Sequence, residues 1–196
     1  MIKVQFKLPC KLAIACSGGV DSMAIVDFLR RKHDVKLIHV NHNEGNSDKA
    51  EQIVTDYAKK HGLKREVHKV ETDKPSEMSW EEFWRTERYK VFIKEPLHVV
   101  TGHHLDDCVE TWIWSSLNGI GKIIPYANRN VIRPFRLTKK EDFINWASKF
   151  DVPFIEDDSN QDMSFTRNII RHQLMPVALK VNPGLHKVIL KKIINN

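Results

Sequence analysis

Short apolar runs alternate with longer amphipathic segments along most of the chain. The apolar runs predict buried strands, and the segments with apolar residues every three or four positions predict helices between them. The predicted strands cover residues 12–16, 35–40, 66–70, 97–101 and 131–132. The predicted helices cover residues 23–29, 47–61, 76–94, 105–117 and 138–150, and residues 119–130 are expected to form a mobile loop.

This alternation predicts an α/β fold: a doubly wound, mostly parallel five-stranded sheet with helices on both faces. Ser47 is the expected N-cap of the second helix. Ligands of such folds bind beyond the carboxyl ends of the strands, near the point where the strand order reverses. The motifs SGGVDS, HVNHN and TGHHLDD each follow a predicted strand. We therefore expect these three motifs to meet in one crevice.

The SGGVDS motif is typical of an anion-binding turn, because the N–H groups at a helix start are unpaired and the dipole favours negative charge. Gly18 and Gly19 let the backbone approach an oxyanion, and the hydroxyls of Ser17 and Ser22 add donors. No Lys follows the glycines, so the pattern differs from G-x-x-x-x-G-K-[ST]. Asp21 would repel a polyphosphate unless a bridging Mg²⁺ reversed the sign. The alternative is an ordinary strand-to-helix turn with a serine cap.

Composition limits the class of protein. The 196 residues are 41% hydrophobic and 29% charged, which is typical of one globular domain, or of one domain with an appendage. No apolar stretch approaches the length of a membrane span, and lysines interrupt the first residues, so neither a membrane helix nor a secretory signal is expected. Cys10, Cys16 and Cys108 form no C-x-x-C pair, which indicates a reducing, cytoplasmic location without disulfides.

The net charge of +6 is concentrated at one end. Residues 163–196 contain six Lys or Arg and no acidic residue, so the rest of the chain is neutral overall. A basic face of this kind favours nucleic-acid binding, although a solvated helix face has the same composition. We expect residues 1–150 to form the catalytic domain and residues 151–196 to form a short, helical, basic extension.

The segment TGHHLDDCVET contains candidate chemistry at a predicted helix start. Asp107 and Glu110 are three residues apart, so they share a helix face and could bind an ammonium group and accept its proton. Asp106 and His103 lie at the helix entrance. One alternative is a transition-metal site formed by these residues with His104. Another is a polar helix start with Asp caps.

The segment WEEFWRTERYKVF places Arg85 and Arg88 on one helix face, with Tyr89 as a stacking surface. Guanidinium groups suit phosphates or carboxylates. The alternative is a surface helix with a Glu81–Arg85 ion pair.

A third segment has the D-x-N-x-D spacing of a calcium loop, at Asp158, Asn160 and Asp162. Its sixth position is Met163 rather than Gly and its twelfth is Ile169 rather than Glu, so the EF-hand pattern fails.

The residues that follow predict a helix capped by Ser164 or Thr166. Such a helix would display Arg167 and Arg171 on one face, where they could contact the phosphates of a nucleic acid or a nucleotide.

In chain order, these motifs resemble the catalytic domain of the tRNA(Ile)-lysidine synthases, which are PP-loop ATP pyrophosphatases. The resemblance runs from IACSGGVDS through HVNHN, EEFWRTERYKVF, TGHHLDDCVET and IRPF to FIEDDSNQDMSFTRNIIRHQLMPVALKVNPG. The first motif marks the superfamily, and the last is much more specific. The resemblance implies that ATP adenylates the oxygen on carbon 2 of a wobble cytidine and that the ε-amine of lysine then displaces AMP.

The resemblance implies ATP and Mg²⁺ as co-substrate and metal, and tRNA and free L-lysine as partners, in a monomer or homodimer. Expected ATP-binding residues are Ser17, Gly18, Gly19, Val20, Asp21, Ser22, His42 and His103, with Asp21 also a Mg²⁺ ligand. Expected catalytic residues are Asp21, Arg88, Asp107 and Glu110, and expected lysine-binding residues are Arg85, Arg88, Asp107 and Glu110. Expected phosphate contacts are Arg167, Arg171, Lys187, Lys191 and Lys192.

The chain departs from the family pattern in several places. Asn43, Glu44 and Gly45 follow His42 where the family usually has an Arg, and Trp84 stands where Ala is expected. The glycine-rich loop after the catalytic helix is also reduced. Full-length members usually carry further C-terminal domains that help select tRNA, so we expect the chemistry to be intact and the selection to differ.

Two other functions compete with this prediction. One is another PP-loop enzyme, such as a thiolase, which generally needs additional cysteines, or an amidating synthetase, which brings an additional module. The other is a catalytically silent nucleotide-binding or RNA-binding module. The presence of Ser17, Asp21, Asp107 and Glu110 argues against a silent module.

Overall fold

The computed structural model describes residues 1–156 and 162–195. Within them, a six-stranded sheet has the spatial order β3-β2-β1-β4-β6-β5. The strands are β1 (Lys11–Ala15), β2 (Asp34–Asn41), β3 (Lys64–Lys69), β4 (Val99–Val100), β5 (Ala127–Asn128) and β6 (Val131–Ile132). The helices are α1 (Val20–Leu29), α2 (Ser47–Lys60), α3 (Trp80–Phe92), α4 (Leu105–Leu117), α5 (Lys140–Lys149), α6 (Thr166–Ile169), α7 (Met175–Val181) and α8 (Leu185–Ile194), and a π-helical segment (Ile170–Leu174) joins α6 to α7.

The strand directions confirm the predicted doubly wound α/β fold. Neighbouring strands are parallel except β5, which runs antiparallel to β6. The prediction of five strands was wrong by one, because β5 lies within the expected loop. It is only two residues long and exposed, and it turns into β6 through Arg129, whose φ is 55°. So short an exposed strand has no apolar alternation by which a sequence pattern could reveal it.

The central strand β1 is buried on both faces. Leu12 and Ile14 pack with α1 in one apolar cluster, and Ala13 packs with Ile38 and Phe92 in another. This division follows from the alternation of side chains along a strand. Helices therefore cover both faces of the sheet, and the polar residues that follow the strands are left at its carboxyl edge.

The C-terminal helices pack on α4 in a third cluster. Leu105 and Val109 of α4 are buried together with Met175, Ile189 and Ile193. This packing brings the segment from α6 to α8 next to the acidic residues of α4. Among the described residues, no helix is both long and apolar enough to cross a lipid bilayer.

The start of α3 and the N-caps of α2 and α6 were predicted wrongly. Helix α3 begins at Trp80, four residues late, because the Ser79 hydroxyl accepts a hydrogen bond from the N–H of Glu82 and caps the helix there. Ser47 is the first residue of α2 and follows the N-cap, because its hydroxyl donates to the carbonyl of Glu44. The N-cap of α6 is Phe165, so neither Ser164 nor Thr166 caps it. The candidate calcium-loop residues Asp158 and Asn160 lie outside the described residues.

Asp27 on α1 organises a buried polar network away from the sheet edge. Its carboxylate accepts hydrogen bonds from Arg30, Arg31, Tyr57 and Trp146 at 2.5 to 3.2 Å. Burial by itself would raise the pKa of Asp27, but these hydrogen bonds outweigh burial and lower the pKa to about 2. The ionised carboxylate is therefore favoured in the folded protein.

We expect Asp27→Asn to lower the free energy of unfolding by about 2 kcal/mol at neutral pH. Because the pKa in the folded state is depressed, this contribution is present above about pH 4 and disappears as the pH falls towards about 2. Urea unfolding of both proteins across this range measures the difference. The exposed Asp34 provides a matched control, since Asp34→Asn should change stability little. Equal stabilities of wild type and Asp27→Asn at pH 7 would contradict the expectation.

Candidate active site

The predicted motifs meet at the carboxyl edge of the sheet. Strands β1 and β4 are neighbours, and the chain leaves them in opposite directions, towards β2 and towards β6. This is the point where the strand order reverses and where ligands of such sheets bind. SGGVDS follows β1 and TGHHLDD follows β4, and a Cβ built on Gly102 would lie 3.6 Å from the Cβ of Asp21. HVNHN spans the end of neighbouring β2.

The loop after β1 requires glycine at position 18. Gly18 has a φ of +87°, and a Cβ there would lie 3.1 Å from the Cβ of Ala50 on α2. The Ser22 hydroxyl donates to the carbonyl of Gly19 at 2.9 Å and accepts from the N–H of Ser17 at 3.2 Å. Ser22 therefore holds the shape of the loop from within, which the sequence prediction of a phosphate-facing hydroxyl did not anticipate.

The start of α1 is open to an anion. Its N-cap is Gly19, and no side chain caps the first turn. The serine-capped turn that the sequence left as an alternative is therefore not formed. The N–H groups of Val20, Asp21 and Ser22 have no partner within the helix, since the first helical bond joins Met23 to Gly19. Together with the helix dipole they form a cradle suited to phosphate oxygens.

Asp21 projects from this cradle and is only partly paired. One carboxylate oxygen, Oδ2, lies 2.6 Å from the Nζ of Lys140, and the other, Oδ1, is buried and has no hydrogen-bond partner within residues 1–156 and 162–195. An unpartnered carboxylate oxygen beside a phosphate cradle fits the coordination of Mg²⁺, which takes one or two carboxylates together with substrate phosphates. In the described part of the chain, no group of three or more His, Cys, Asp or Glu residues could hold a metal. Most ligands of a Mg²⁺ ion would therefore come from the nucleotide and water.

Lys140 is held in place by α4 and α8. Its backbone N–H donates to Oδ2 of Asp106 at 2.8 Å, and Oδ1 of Asp106 lies 3.0 Å from Nε2 of His186 on α8. Asp106 thus caps α5 and links three helices. Lys140 lies in none of the sequence motifs, although a lysine at a helix N-terminus opposes the dipole and is therefore a signal for function.

The acidic pair of α4 is buried and already bound to arginines. Asp107 and Glu110 are 6% and 3% exposed. Arg167 donates to Oδ1 of Asp107 at 2.6 Å and to Oε2 of Glu110 at 3.0 Å, and Arg171 donates to Oε1 of Glu110 at 2.7 Å. The sequence predicted that these two arginines contact phosphates and that the two acids bind lysine. In the structure, the arginines pair with the acids and neutralise their charge.

The start of α4 is capped by His104. Its Nδ1 accepts from the N–H of Asp107 at 3.3 Å, and Oδ2 of Asp107 accepts from the N–H of His104 at 2.8 Å. Burial opposes ionisation of Asp107, but Arg167 and the His104 amide keep its pKa well below the usual range. The helix start is thus polar, with a His cap instead of an Asp cap. The alternative of a transition-metal site finds no ligand cluster among the described residues.

A second group of cations, formed by Arg85, Arg88 and Arg133, lies around Tyr89 and close enough to Arg167 for its charge to be felt at Arg88. Arg85 lies over the ring of Tyr89, with its guanidinium carbon 5.0 Å from the ring centroid, and Arg133 donates to the Tyr89 hydroxyl at 2.7 Å. No Glu81–Arg85 ion pair forms in this described helix. Burial lowers the pKa of Arg88, and the charge of Arg85 lowers it further. An arginine in such surroundings is suited to an anionic ligand.

The predicted nucleotide histidines lie on either side of this group. His103 follows β4, and its Nδ1 lies 2.9 Å from the Thr101 hydroxyl. Burial, with the nearby arginine charges, lowers the pKa of His103 to about 3, so the ring is neutral at pH 7. His42 follows β2, and its Nε2 lies 3.4 Å from Nη1 of Arg88.

The remaining predicted phosphate contacts lie outside this group. Lys187, Lys191 and Lys192 are exposed on α8, whose opposite face carries buried Leu185, Ile189 and Ile193.

Fold and site together define an α/β domain with a candidate anion-binding cradle at the switch point of its sheet. The chain belongs to the PP-loop domain family, whose match covers residues 3–178.

Its curated relatives include several tRNA(Ile)-lysidine synthases. The chain is 34% identical over 198 residues to that of Persephonella marina and 32% identical over 198 residues to that of Lactiplantibacillus plantarum. It is 28% identical over 206 residues to that of Vibrio parahaemolyticus. The alignments cover 90% to 96% of this chain but 44% to 47% of each relative. The chain therefore spans less than half the length of these relatives.

Solved structures give the same fold at low identity. The U34-tRNA thiolase NcsA from Methanococcus maripaludis superposes with a TM-score of 0.78 at 17% identity, covering 97% of this chain and 72% of that chain. The NH3-dependent NAD synthetase from Campylobacter jejuni gives a TM-score of 0.51 at 13% identity, covering 97% and 86%. These similarities concern the fold alone.

Proposed function

We propose that this chain catalyses lysidine formation on a tRNA, as the names of its curated relatives suggest. The oxygen on carbon 2 of the wobble cytidine attacks the α-phosphorus of ATP, and pyrophosphate leaves. The ε-amine of free lysine then attacks carbon 2, loses a proton, and AMP leaves. The observation that carries the proposal is the juxtaposition of a phosphate cradle with a buried acidic pair at one switch point.

The cradle after β1 supports the first step. The N–H groups at the start of α1 would hold the phosphates. The Nζ of Lys140 pairs with Asp21 beside these N–H groups, so it could bind the phosphates as well. Asp21 would hold Mg²⁺, which when bound neutralises phosphate charge during displacement. Membership of the PP-loop family supports ATP as the nucleotide.

The acidic pair supports the second step. At pH 7, on the order of 1 in 2,500 free lysine side chains carries a neutral, nucleophilic amine. Deprotonating the ammonium at this pH costs about 4–5 kcal/mol, and the site must supply this free energy. Asp107 and Glu110 share a helix face and are shielded from water, and Arg85 and Arg88 lie nearby to bind the lysine carboxylate.

The cysteines do not favour a thiolase. Burial raises the pKa of Cys16 to about 11 and that of Cys108 to about 12, so both remain thiols at neutral pH. Cys10, the third cysteine of the chain, is exposed and free. Sulfur transfer and cluster ligation both use thiolates.

Mass spectrometry of nucleosides tests the proposal directly. Transcripts of an isoleucine tRNA with cytidine at the wobble position are incubated with the protein, ATP, Mg²⁺ and lysine, and then digested. Lysidine should appear only when every component is present, and pyrophosphate release should depend on tRNA. Absence of lysidine together with tRNA-dependent formation of another modified nucleoside would identify a different PP-loop activity. Absence of any product or pyrophosphate would favour a silent binding module.

The basic face of α8 should contribute to RNA affinity. Each phosphate neutralised in single-stranded RNA adds roughly 0.7 to the slope of log K against log salt. Replacing Lys187, Lys191 and Lys192 with Gln should therefore flatten the slope by up to about 2 and weaken tRNAs of different sequence similarly.

A matched control removes the same charge elsewhere, by replacing the exposed Lys59, Lys60 and Lys64 with Gln. This triple variant should keep the wild-type slope. If both triple variants behave alike, the α8 lysines form only a solvated helix face.

A further inference from the structure

A cleft with an aromatic wall opens beside the predicted active site, beyond the ends of β2 and β3. His42 and Asn43 line it from the β2 side, and Trp80 and Phe83 of α3 line it from the other. Asn43 has a φ of 57°, and its amide donates to the carbonyl of Val70 at 2.8 Å, so the two strand ends are tied together below the cleft. The cleft is thus part of the folded architecture.

A row of aromatic rings continues from this cleft through Trp84 to Phe165, both of which are partly buried. Trp80 and Trp84 lie 5.5 Å apart at 32°, and Trp84 and Phe165 lie 6.3 Å apart at 38°. The ring of His42 lies 5.7 Å from that of Trp84. Trp80 is 42% exposed, and the indole N–H of Trp84 is buried with no hydrogen-bond partner among the described residues. A buried donor without a partner costs free energy unless a ligand uses it, and Trp80 leaves part of its ring accessible where it lines the cleft.

We propose that Trp80 and this cleft form a stacking site for an unpaired RNA nucleobase next to the nucleotide being modified. Stacking on Trp suits any base, because every base presents a π face. His42 joins the two sites: it lines the cleft, and its Nε2 lies 3.4 Å from Arg88. When the target base of an RNA strand occupies the crevice, a neighbouring base of the same strand would therefore lie close enough to stack on Trp80.

Charge determines which part of the RNA enters. Glu44, Glu71 and Asp73 also line the cleft, while Lys74 lies over the Trp80 ring at 5.3 Å with its Nζ donating to backbone carbonyls. Three carboxylates would repel a phosphate, so a base enters and the backbone stays outside. Of the residues expected to bind ATP, only His42 lines this cleft, and none of the cradle residues that follow β1 does. These features favour an RNA base over the adenine of ATP.

Binding of a fluorescein-labelled heptacytidine RNA, measured by anisotropy on the full chain, tests the site. Trp80→Ala should weaken binding by about 5- to 100-fold, the loss expected for one stacked base, and Trp80→Phe should restore most of the affinity. Trp114 is 50% exposed on α4, away from the cleft, so Trp114→Ala is a matched control that should bind like wild type. Affinity for ATP should be unchanged in all three variants.

Two results would overturn the site. Similar RNA affinities for Trp80→Ala and Trp114→Ala would show that Trp80 is only a surface residue. A loss of ATP affinity in Trp80→Ala without a loss of RNA affinity would make the cleft an adenine site. The inference rests on the proposed function only in taking RNA as the ligand. If wild type forms no lysidine while Trp80→Ala still loses RNA binding, the proposed chemistry fails and the stacking site stands.

Discussion

Replacing Asp21 with Ala is expected to lower AMP and pyrophosphate formation by about a thousandfold or more. Asp21 is the only acid that projects from the phosphate cradle among the described residues of that loop, and its Oδ1 is buried without a partner. Loss of the carboxylate would remove the expected Mg²⁺ ligand and leave the phosphate charge uncompensated. Quantifying AMP with tRNA and lysine present, over a series of Mg²⁺ concentrations, measures the effect.

Lys140 offers a competing explanation, because Asp21 also pairs with its Nζ at 2.6 Å. If Asp21 served only to neutralise Lys140, Asp21→Ala would reach its half-maximal rate at the same Mg²⁺ concentration as the wild type. If Asp21 binds Mg²⁺, the concentration needed for the half-maximal rate rises in Asp21→Ala. Asp27→Asn, on the same helix but away from the cradle, controls for lost stability and should form AMP normally at a temperature where it is folded. AMP formation by Asp21→Ala at the wild-type rate would exclude Asp21 as a metal ligand.

Glu110→Gln is expected to reduce lysine transfer by about 10²- to 10⁴-fold while adenylation of tRNA changes much less. The amide keeps the shape of the side chain but cannot accept the proton of the lysine ammonium. Adenylated tRNA formed without lysine measures the first half-reaction, and lysidine formed after lysine is added measures the second.

The buried Glu95 provides the matched control. It is 8% exposed and pairs with Lys36 at 2.7 Å, far from the crevice in the fold. Glu95→Gln should lower stability and leave the ratio of the two half-reactions unchanged. Equal loss of both half-reactions in Glu110→Gln would assign Glu110 to nucleotide binding or to the fold.

The sequence predicts the sheet and its switch point because these depend on local patterns. Buried strands such as β1 are continuous apolar runs, and the glycines and polar residues after them mark the turns. The prediction fails where local pattern carries no information. The start of α3 at Trp80 depends on one hydroxyl of Ser79, and β5 depends on a hairpin partner.

The active site shows the same limit more strongly. The acids Asp107 and Glu110 share a helix face by spacing alone, so their proximity is predictable. Their partner Arg167 comes from an element about 60 residues later in the chain, and only the packing of the C-terminal helices on α4 brings it there. Lys140 reaches Asp21 in the same way, across 119 positions. Contacts of this kind depend on tertiary packing, which periodicity does not encode.

The guanidinium groups on the acidic pair have a thermodynamic consequence for substrate capture. Arg167 and Arg171 are tethered to the same chain, so each is present at a high effective concentration next to Glu110. An ammonium that binds between these acids, as proposed for lysine, competes with a local cation that dilution cannot remove. The apparent dissociation constant for lysine is then the intrinsic one divided by the fraction of molecules in which the arginines have moved aside. An amine that makes no other contacts in the crevice would therefore rarely displace the arginines from these acids.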